Sequence, residues 1–534
     1  MKKIMGTKKF FMGLFALVLF GCAGTTFIQP TEAAPDLTGV VQTLIDLLEK
    51  QDKTKITADD YESTSLHEIV TFGTPAGYRL KIRYLDFGVA LVDALKVARD
   101  SELRRRMIEM VQWTRDPKVR AEAIITLATL LDPTHKKYFK EAVLDSKVAI
   151  RSAAVEALQI WGQPDALPLL QMTMDRDLSP LMQIYAAQAL LSFGNENGLP
   201  ILWKFMSHES WVLRAMAARY LGDYASADDY VKLNAYLIRE TRNDFVIAEL
   251  CIASLKLISK KGEKISYSPS SPGWRKNSEV GYSIGKDKVV ELEPLIIVPP
   301  QLRIPPSLQV AAQINTKLLR LITERLKEPL DPLQAQDPVL QDLNAMVTPS
   351  GFALKTRYSE LSYLVIEALA GTNDPILRLT LQRLAADDSN PLIRASALIA
   401  LAYSKNEEDI YLLEDALTDK NATARMGALE AIEVGRFRQL IPRLFATAGN
   451  DPSLALQVYA LQILAKFDNP SGRQALLNRI SERDWPSRAM AYWTLGRYGA
   501  PEDYSLILSR LATEENPFVQ SEIVLAALRL APLE

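Results

Sequence analysis

The stretch Trp211–Tyr230, WVLRAMAARYLGDYASADDY, returns 274 residues later as Trp485–Tyr504, WPSRAMAYWTLGRYGAPEDY, with ten of twenty positions identical. Trp211/Trp485, Arg214/Arg488, Gly222/Gly496 and Tyr230/Tyr504 are among the matches. A second stretch, Thr74–Leu95, recurs at the same offset as Thr348–Leu369, with nine of 22 positions identical. Two long matches at one offset mark a duplicated array, and such an array has to be read before any single element. A chain of 534 residues is too long for one ordinary core but not for an elongated repeat.

A shorter period runs inside each half. Aligned on the residue seven before a recurring Leu, the first half reads Arg120, Arg151, Gln183, Arg214 and Ala248, at steps of 31, 32, 31 and 34. The second half reads Arg394, Arg425, Gln457, Arg488 and Ser521, at steps of 31, 32, 31 and 33. Even the Gln exception is copied. Gly88 and Ser362 extend each series one unit upstream, giving about six units per half. Each unit predicts a first helix with large apolar residues, a turn, and a second helix patterned Arg-x-x-Ala-x-x-x-Leu. An Asp stands four to six residues before the anchor, as at Asp116, Asp145, Asp177, Asp388, Asp419, Asp451 and Asp484. Asp there is expected to cap the second helix. The anchor arginines are expected to bridge to a neighbouring Asp and hold the stack in register, rather than to form a basic binding ladder.

This D…VR..A…AL pattern resembles the HEAT-like repeats of the phycobilisome-lyase type over roughly residues 84–258 and 358–530. DPKVRAEAIITL and DSNPLIRASALIAL are its clearest members. The resemblance implies an all-α fold, an α-solenoid of HEAT-like helix pairs in two duplicated halves. One pair cannot bury its own apolar face, so neighbours stack around a continuous core.

The N-terminus predicts export. Lys2, Lys3, Lys8 and Lys9 precede an apolar run, Phe10–Phe20, too short for a permanent span. Leu19, Gly21 and Cys22 then resemble a bacterial lipobox, although Phe20 is bulkier than usual there. The resemblance implies cleavage after Gly21 and lipid on Cys22; Ala23 in the next position favours the outer membrane, facing the periplasm. Several acyl chains on one residue suffice for stable anchoring. The other cysteine, Cys251, lies in the apolar stretch IAELCIASLKL and is expected to be a buried free thiol.

The domain reading is a signal peptide at 1–21, a tether at 22–36, a first array at 37–262, an inserted linker at 263–305 and a second array at 306–534. The first helix falls within 36–50, with Val40, Val41, Leu44, Leu47 and Leu48 at helical spacing. Residues 51–73 carry no assignable pattern. A helix is expected after the Thr-Pro-x-Gly turn of each 274-offset match, since Leu80, Tyr84, Phe87 and Leu91 fall at helical spacing. The linker is Ser-, Gly- and Lys-rich at first. It is then apolar but broken by prolines, so an extended path burying Leu295–Val298 is expected.

No catalytic pattern emerges. His67, His135 and His208 are isolated and are expected at the surface or at caps. There is no Gly-rich phosphate loop, G-x-S-x-G or CxxC, and no cofactor or metal is implied. Residues 1–21 hold four lysines and no acids, leaving 58 basic against 64 acidic side chains, which argues against nucleic acid.

A binding face is the remaining candidate. The anchor+5 position points about 140° from the anchor and is expected to line the concave side. It reads Ile125, Glu156, Gln188 and Arg219, then Ile399, Glu430, Gln462 and Trp493. Tyr185 and Tyr459 also match. The row is either plain retention on a solvated face or a recognition patch presented once per half. The partner-binding candidates are therefore Glu156, Tyr185, Gln188, Arg219, Glu430, Tyr459, Gln462 and Trp493. The expected function is a lipid-anchored envelope scaffold holding a protein or peptide partner in the groove. The alternatives are a permanent subunit of a secretion, motility or cell-wall complex, or a lyase-like enzyme suggested only by the repeat's namesake.

Overall fold

The computed structural model describes residues 37–50, 63–85, 101–262, 266–267, 302–303, 305–320, 336–359 and 375–531, with isolated positions in 86–100, 321–335 and 360–374. The first half opens with α1 (Thr38–Lys50), α2 (Thr64–Thr71) and α3 (Pro75–Leu85). Five pairs follow: α4 (Ser101–Trp113) with α5 (Pro117–Thr129), α6 (Lys136–Ala142) with α7 (Val148–Trp161), α8 (Ala166–Arg176) with α9 (Pro180–Ser192), α10 (Gly198–Phe205) with α11 (Trp211–Tyr224), and α12 (Tyr230–Arg239) with α13 (Asp244–Lys261). The second half repeats the order with α14 (Pro306–Arg320), α15 (Pro338–Ala345) and α16 (Pro349–Ser359). Its pairs are α17 (Pro375–Asp387) with α18 (Pro391–Tyr403), α19 (Ile410–Ala416) with α20 (Ala422–Gly435), α21 (Ile441–Asn450) with α22 (Leu454–Lys466), α23 (Pro470–Arg479) with α24 (Trp485–Tyr498), and α25 (Tyr504–Leu511) with α26 (Pro517–Leu530). This is an all-α solenoid. Its only described strands, β1 (Ser266–Tyr267) and β2 (Leu302–Arg303), pair antiparallel and bracket the insertion. The expected burial of Leu295–Val298 lies outside the described residues, as do Gly88 and Cys22.

Second helices stack on second helices, α5 on α7, α11 on α13, α18 on α20 and α24 on α26. They are buried almost all round, because first helices cover one side and other parts of the chain cover the other. Small residues set the spacing. A Cβ on Gly222 would lie 2.6 Å from the Ala253 Cα, and one on Gly496 would lie 2.7 Å from the Ala526 Cα. The matched glycines are thus the contact points of the α11–α13 and α24–α26 pairs.

The anchor arginines do form the expected ladder. Arg120 reaches Asp145 at 2.6 Å, Arg151 reaches Asp177 at 2.8 Å, Arg394 reaches Asp419 at 2.8 Å and Arg425 reaches Asp451 at 2.8 Å. Arg214 and Arg488 use Glu240 and Glu514 instead. Each bridge runs to the turn of the next unit. Apart from Arg120, which donates to the Val111 carbonyl, each anchor arginine also donates to a carbonyl six residues back, as from Arg425 to the Asp419 carbonyl at 2.9 Å. Gln183 and Gln457 keep that backbone bond, at 2.8 and 2.6 Å. This shows why Gln substitutes for Arg in the third unit: it supplies the turn's hydrogen bond without the charge.

The acids depart from one expectation. Asp116 and Asp484 are N-caps, but Asp145, Asp177, Asp388, Asp419 and Asp451 sit two residues ahead of the cap. There they accept the cap residue's own amide, and Asp145, Asp177, Asp419 and Asp451 are also free to accept the neighbouring arginine. The histidine expectation also changes. His67 is exposed and His208 accepts the Ser210 amide at 3.0 Å, but His135 is buried with Nδ1 3.2 Å from the Leu127 carbonyl. Cys251 is a buried free thiol, and burial pushes it up to about 12.

The array closes on itself. Helix α1 packs on α26, the last second helix, and on α4, while α14 packs on α13 and on α17. Each half thus begins where the other ends, and a linear stack becomes a ring. The unassigned stretch before Gly73 contains α2, an eight-residue helix capped by Ser63 and burying Leu66 and Ile69. Such a short helix shows too few turns for its period to stand out.

Candidate functional site

The inner faces of the second helices were the expected recognition surface, and the chain itself packs against them. Helix α3 reaches α20, α24 and α26 of the second half, and α2 packs on α22. The turn before α3 explains its placement. Thr74 accepts the Gly77 amide at 3.1 Å, Pro75 needs no donor, and the Ala76 amide donates to both Glu430 oxygens at 3.0 and 2.9 Å. The start of α3 is therefore capped half by its own Thr and half by a carboxylate from α20. Burial pushes the Glu430 carboxyl up, against the pull of Arg79 and the Ala76 amide. Further along, Arg83 makes a two-pronged bridge to Glu522 of α26, at 2.5 and 2.7 Å. Tyr84 meets Trp485 edge-on at 6.2 Å, and Phe87 meets Phe518 at 5.1 Å.

The first half receives the same contact from α16. Thr348 accepts the Gly351 amide at 3.0 Å, and the Ser350 amide lies 3.4 Å from Glu156. Arg357 grips Glu249 of α13 through both prongs, with Nη2 to Oε2 at 2.7 Å. Tyr358 donates to the same carboxylate at 3.2 Å and packs edge-on against Trp211 at 5.9 Å. Both ion pairs are almost wholly buried. Polar contacts of α2 and α15 complete the exchange. Ser63 donates to Asp484 at 2.6 Å, whereas in the other half Ser210 donates to Asp337 at 2.8 Å. The hydroxyl and the carboxylate have traded places between the two copies. Ser453 donates to Glu68 and Ser179 to Asp342, each at 2.5 Å.

Some of the candidate residues fall into this interface and others do not. Glu156 and Glu430 face the incoming helix starts. Tyr185 donates to Glu156 at 3.3 Å, but Tyr459 donates to Glu433 instead. Gln188 accepts from Gln159 and donates to Tyr224, so it links second helices to one another. Gln462 is buried and its Oε1 has no partner among the described residues. Arg219 lies in the field of Arg357 and Glu249, and its counterpart Trp493 lies under Arg83 at 5.4 Å. At Glu156, Glu430 and Trp493 the row meets the opposite half's leading helix, while Gln188, Arg219 and Trp493 stay half-buried. The sequence reading missed Glu249 and Glu522. Their signal is a carboxylate in the middle of an otherwise apolar second helix, present in both halves, with Arg83 and Arg357 matched in the other repeat.

Among the described residues, no group of three or more His, Cys, Asp and Glu could hold a metal ion. An open cleft lined by His208, Trp211, Arg214, Arg242 and Asp337 runs beside the Ser210–Asp337 contact.

The fold and this arrangement define a closed α-solenoid built on helix pairs. The family model for HEAT repeats matches residues 106–183, 174–255, 353–433 and 441–528, and the chain belongs to the HEAT-repeat family. No curated protein matches it. Among solved structures it is similar to human deoxyhypusine hydroxylase in complex with glycerol, at 14% identity and TM-score 0.23, over 74% of this chain and 96% of that one. It is also similar to Kap121p, at 12% identity and TM-score 0.34, over 92% of this chain and 52% of that one. Kap121p bound to Nup53p matches at 12% identity and TM-score 0.33, over 92% of this chain and 53% of that one. The chain thus spans about half the length of Kap121p.

Proposed function

We propose that the protein is a scaffold of the cell envelope, held to a membrane by lipid on Cys22, that engages a protein partner through the outer helices of the ring and performs no reaction of its own. The periplasmic face of the outer membrane is the proposed location. The observation that carries this reading is where large apolar side chains remain exposed. On α12, Tyr230, Leu233 and Leu237 point inward while Val231 and Ile238, two turns apart, stand out in solvent. Leu379 on α17 and Tyr411 on α19 are equally exposed. These are outer helices, and stacking holds them at fixed spacing, which suits an extended contact. A peptide threaded along the inner groove is disfavoured, because it would have to displace α3 or α16 together with a buried ion pair.

Photo-crosslinking in cells tests this directly. A crosslinker at Ile238 or Tyr411 is expected to capture the partner, and one at Glu156 or Glu430 is expected to join the two halves of the same chain. Capture of a partner from the inner positions alone would overturn the outer-helix reading. Replacing Cys22 with Ser is expected to release the protein from membranes; undiminished retention removes the lipid from the account. Gradient sedimentation then separates a permanent subunit, which travels in a large assembly, from a scaffold that is free between encounters.

A further inference from the structure

Because the halves are near-copies, they serve as each other's control. In the described pairs joined by the ladder, the turn from first to second helix lies on the same edge of the ring. The ladder shows this: Arg120 and Arg151 tie each turn to the next, and Lys147 reaches the Arg115 carbonyl at 3.5 Å. In the first half, three consecutive turns carry a large apolar side chain aimed at solvent. Trp113 is 77% exposed, Leu144 65% and Leu178 97%. A base stands within three residues of each, at Arg115, Lys147 and Arg176, and all three are exposed. The acids Asp145 and Asp177 of these turns are engaged by the ladder arginines, Asp116 caps its own helix and Asp175 accepts from Gln171, so the bases equal or outnumber the acids left over at each tip.

The same edge of the second half differs at every one of these positions. The counterparts of Trp113, Leu144 and Leu178 are Asp387, Thr418 and Pro452. The counterparts of Arg115, Lys147 and Arg176 are Ser389, Asn421 and Asn450. The ladder is unchanged across this comparison, so it forms without the apolar tips or their bases.

We propose that this edge of the first half docks on an anionic lipid bilayer, with Trp113, Leu144 and Leu178 entering the headgroup layer and Arg115, Lys147 and Arg176 meeting lipid phosphates. Apolar tips separated by a unit and interleaved with bases match a lipid interface, where each tip inserts alone. The indole of Trp113 suits that layer, having an apolar body and a polar nitrogen. Charge complementarity selects anionic over neutral lipid. The dock does not require lipid on Cys22.

The test uses the full chain with Cys22→Ser and a polarity-sensitive fluorophore on Leu178→Cys. Cys251, buried and unreactive, stays in place. On phosphatidylglycerol-containing vesicles the label at 178 is expected to brighten and shift to the blue, and on pure phosphatidylcholine it is expected to stay in water. A label on Pro452→Cys is expected to stay in water on both, which separates edge docking from general adhesion through the leading segment. Changing Arg115, Lys147 or Arg176 to Gln is expected to weaken vesicle affinity about fivefold per residue. The proposal falls if 178 stays in water on anionic vesicles, if 178 and 452 respond alike, or if 178 responds only when a protein fraction is added.

Discussion

Charged residues do two different jobs in this ring. The ladder arginines sit at the rim of the core, where each satisfies a carboxylate of the next turn and all but Arg120 a carbonyl of their own. Burial raises the Asp419 carboxyl, but the Arg394 guanidinium and the Asn421 amide outweigh it and hold the group below the usual carboxylate range. A lowered folded pKa means the unfolded chain binds the proton more tightly, so this stabilisation is present above the ordinary Asp pKa of about 4 and is lost as pH falls through the lower folded value. Asp419→Asn is therefore expected to flatten part of the acid limb of a thermal-melt series below about pH 4. The Arg357–Glu249 pair is different, being wholly enclosed. Removing one partner strands a buried charge, so Glu249→Ala is expected to cost about 3–5 kcal/mol. The double change Glu249→Leu with Arg357→Met is expected to recover most of that in denaturant titrations. Comparable losses in both variants would mean that packing, and not the charge, dominates there.

At the scale of elements, the second helices are the structural constant. Their Arg-x-x-Ala-x-x-x-Leu pattern was legible because period, cap and small residue all repeat. Helix α3 was legible as a helix, and its Thr-Pro-x-Gly start as a turn, because those are local properties. Where α3 docks was not legible, since Glu430 lies 354 residues away and nothing local marks it as the other half of the cap. Local pattern therefore placed Glu156 and Glu430 on the inner side without revealing what fills that side. The glycine match is the element-level clue with the plainest consequence. Gly222→Ala places a methyl 2.8 Å from the Ala253 Cβ, inside any real carbon contact. The α11–α13 pair must then separate, and a loss of about 1–3 kcal/mol is expected, with a similar loss for Gly496→Ala. Thermal melts of both variants check this, and unequal shifts would show that one half is the more adaptable.

For the whole molecule, closure is the main fact. A solenoid usually needs special end units to shield its terminal faces; here α1 covers α26 and α14 covers α13, so each half shields the other. The halves should therefore stay together without a covalent link. A protease site inserted near residue 285 and then cleaved is expected to leave one particle of unchanged mass in light scattering. Ser65 and Ser487 offer a second check, with hydroxyls 3.1 Å apart. Changed together to Cys, they are expected to form a disulfide that joins the two fragments on a non-reducing gel. Fragments that drift apart would show that closure is weaker than the buried pairs imply.

The amino-acid order alone determined the duplication, the unit length, the helix pairs and the ladder, because each depends on contacts within a unit or between adjacent units. Periodicity records such contacts. Only the tertiary structure decided that the stack bends into a ring and that each copy's leading helix meets the other's inner face. Those contacts join residues hundreds of positions apart, and their partners are single side chains with no period to betray them.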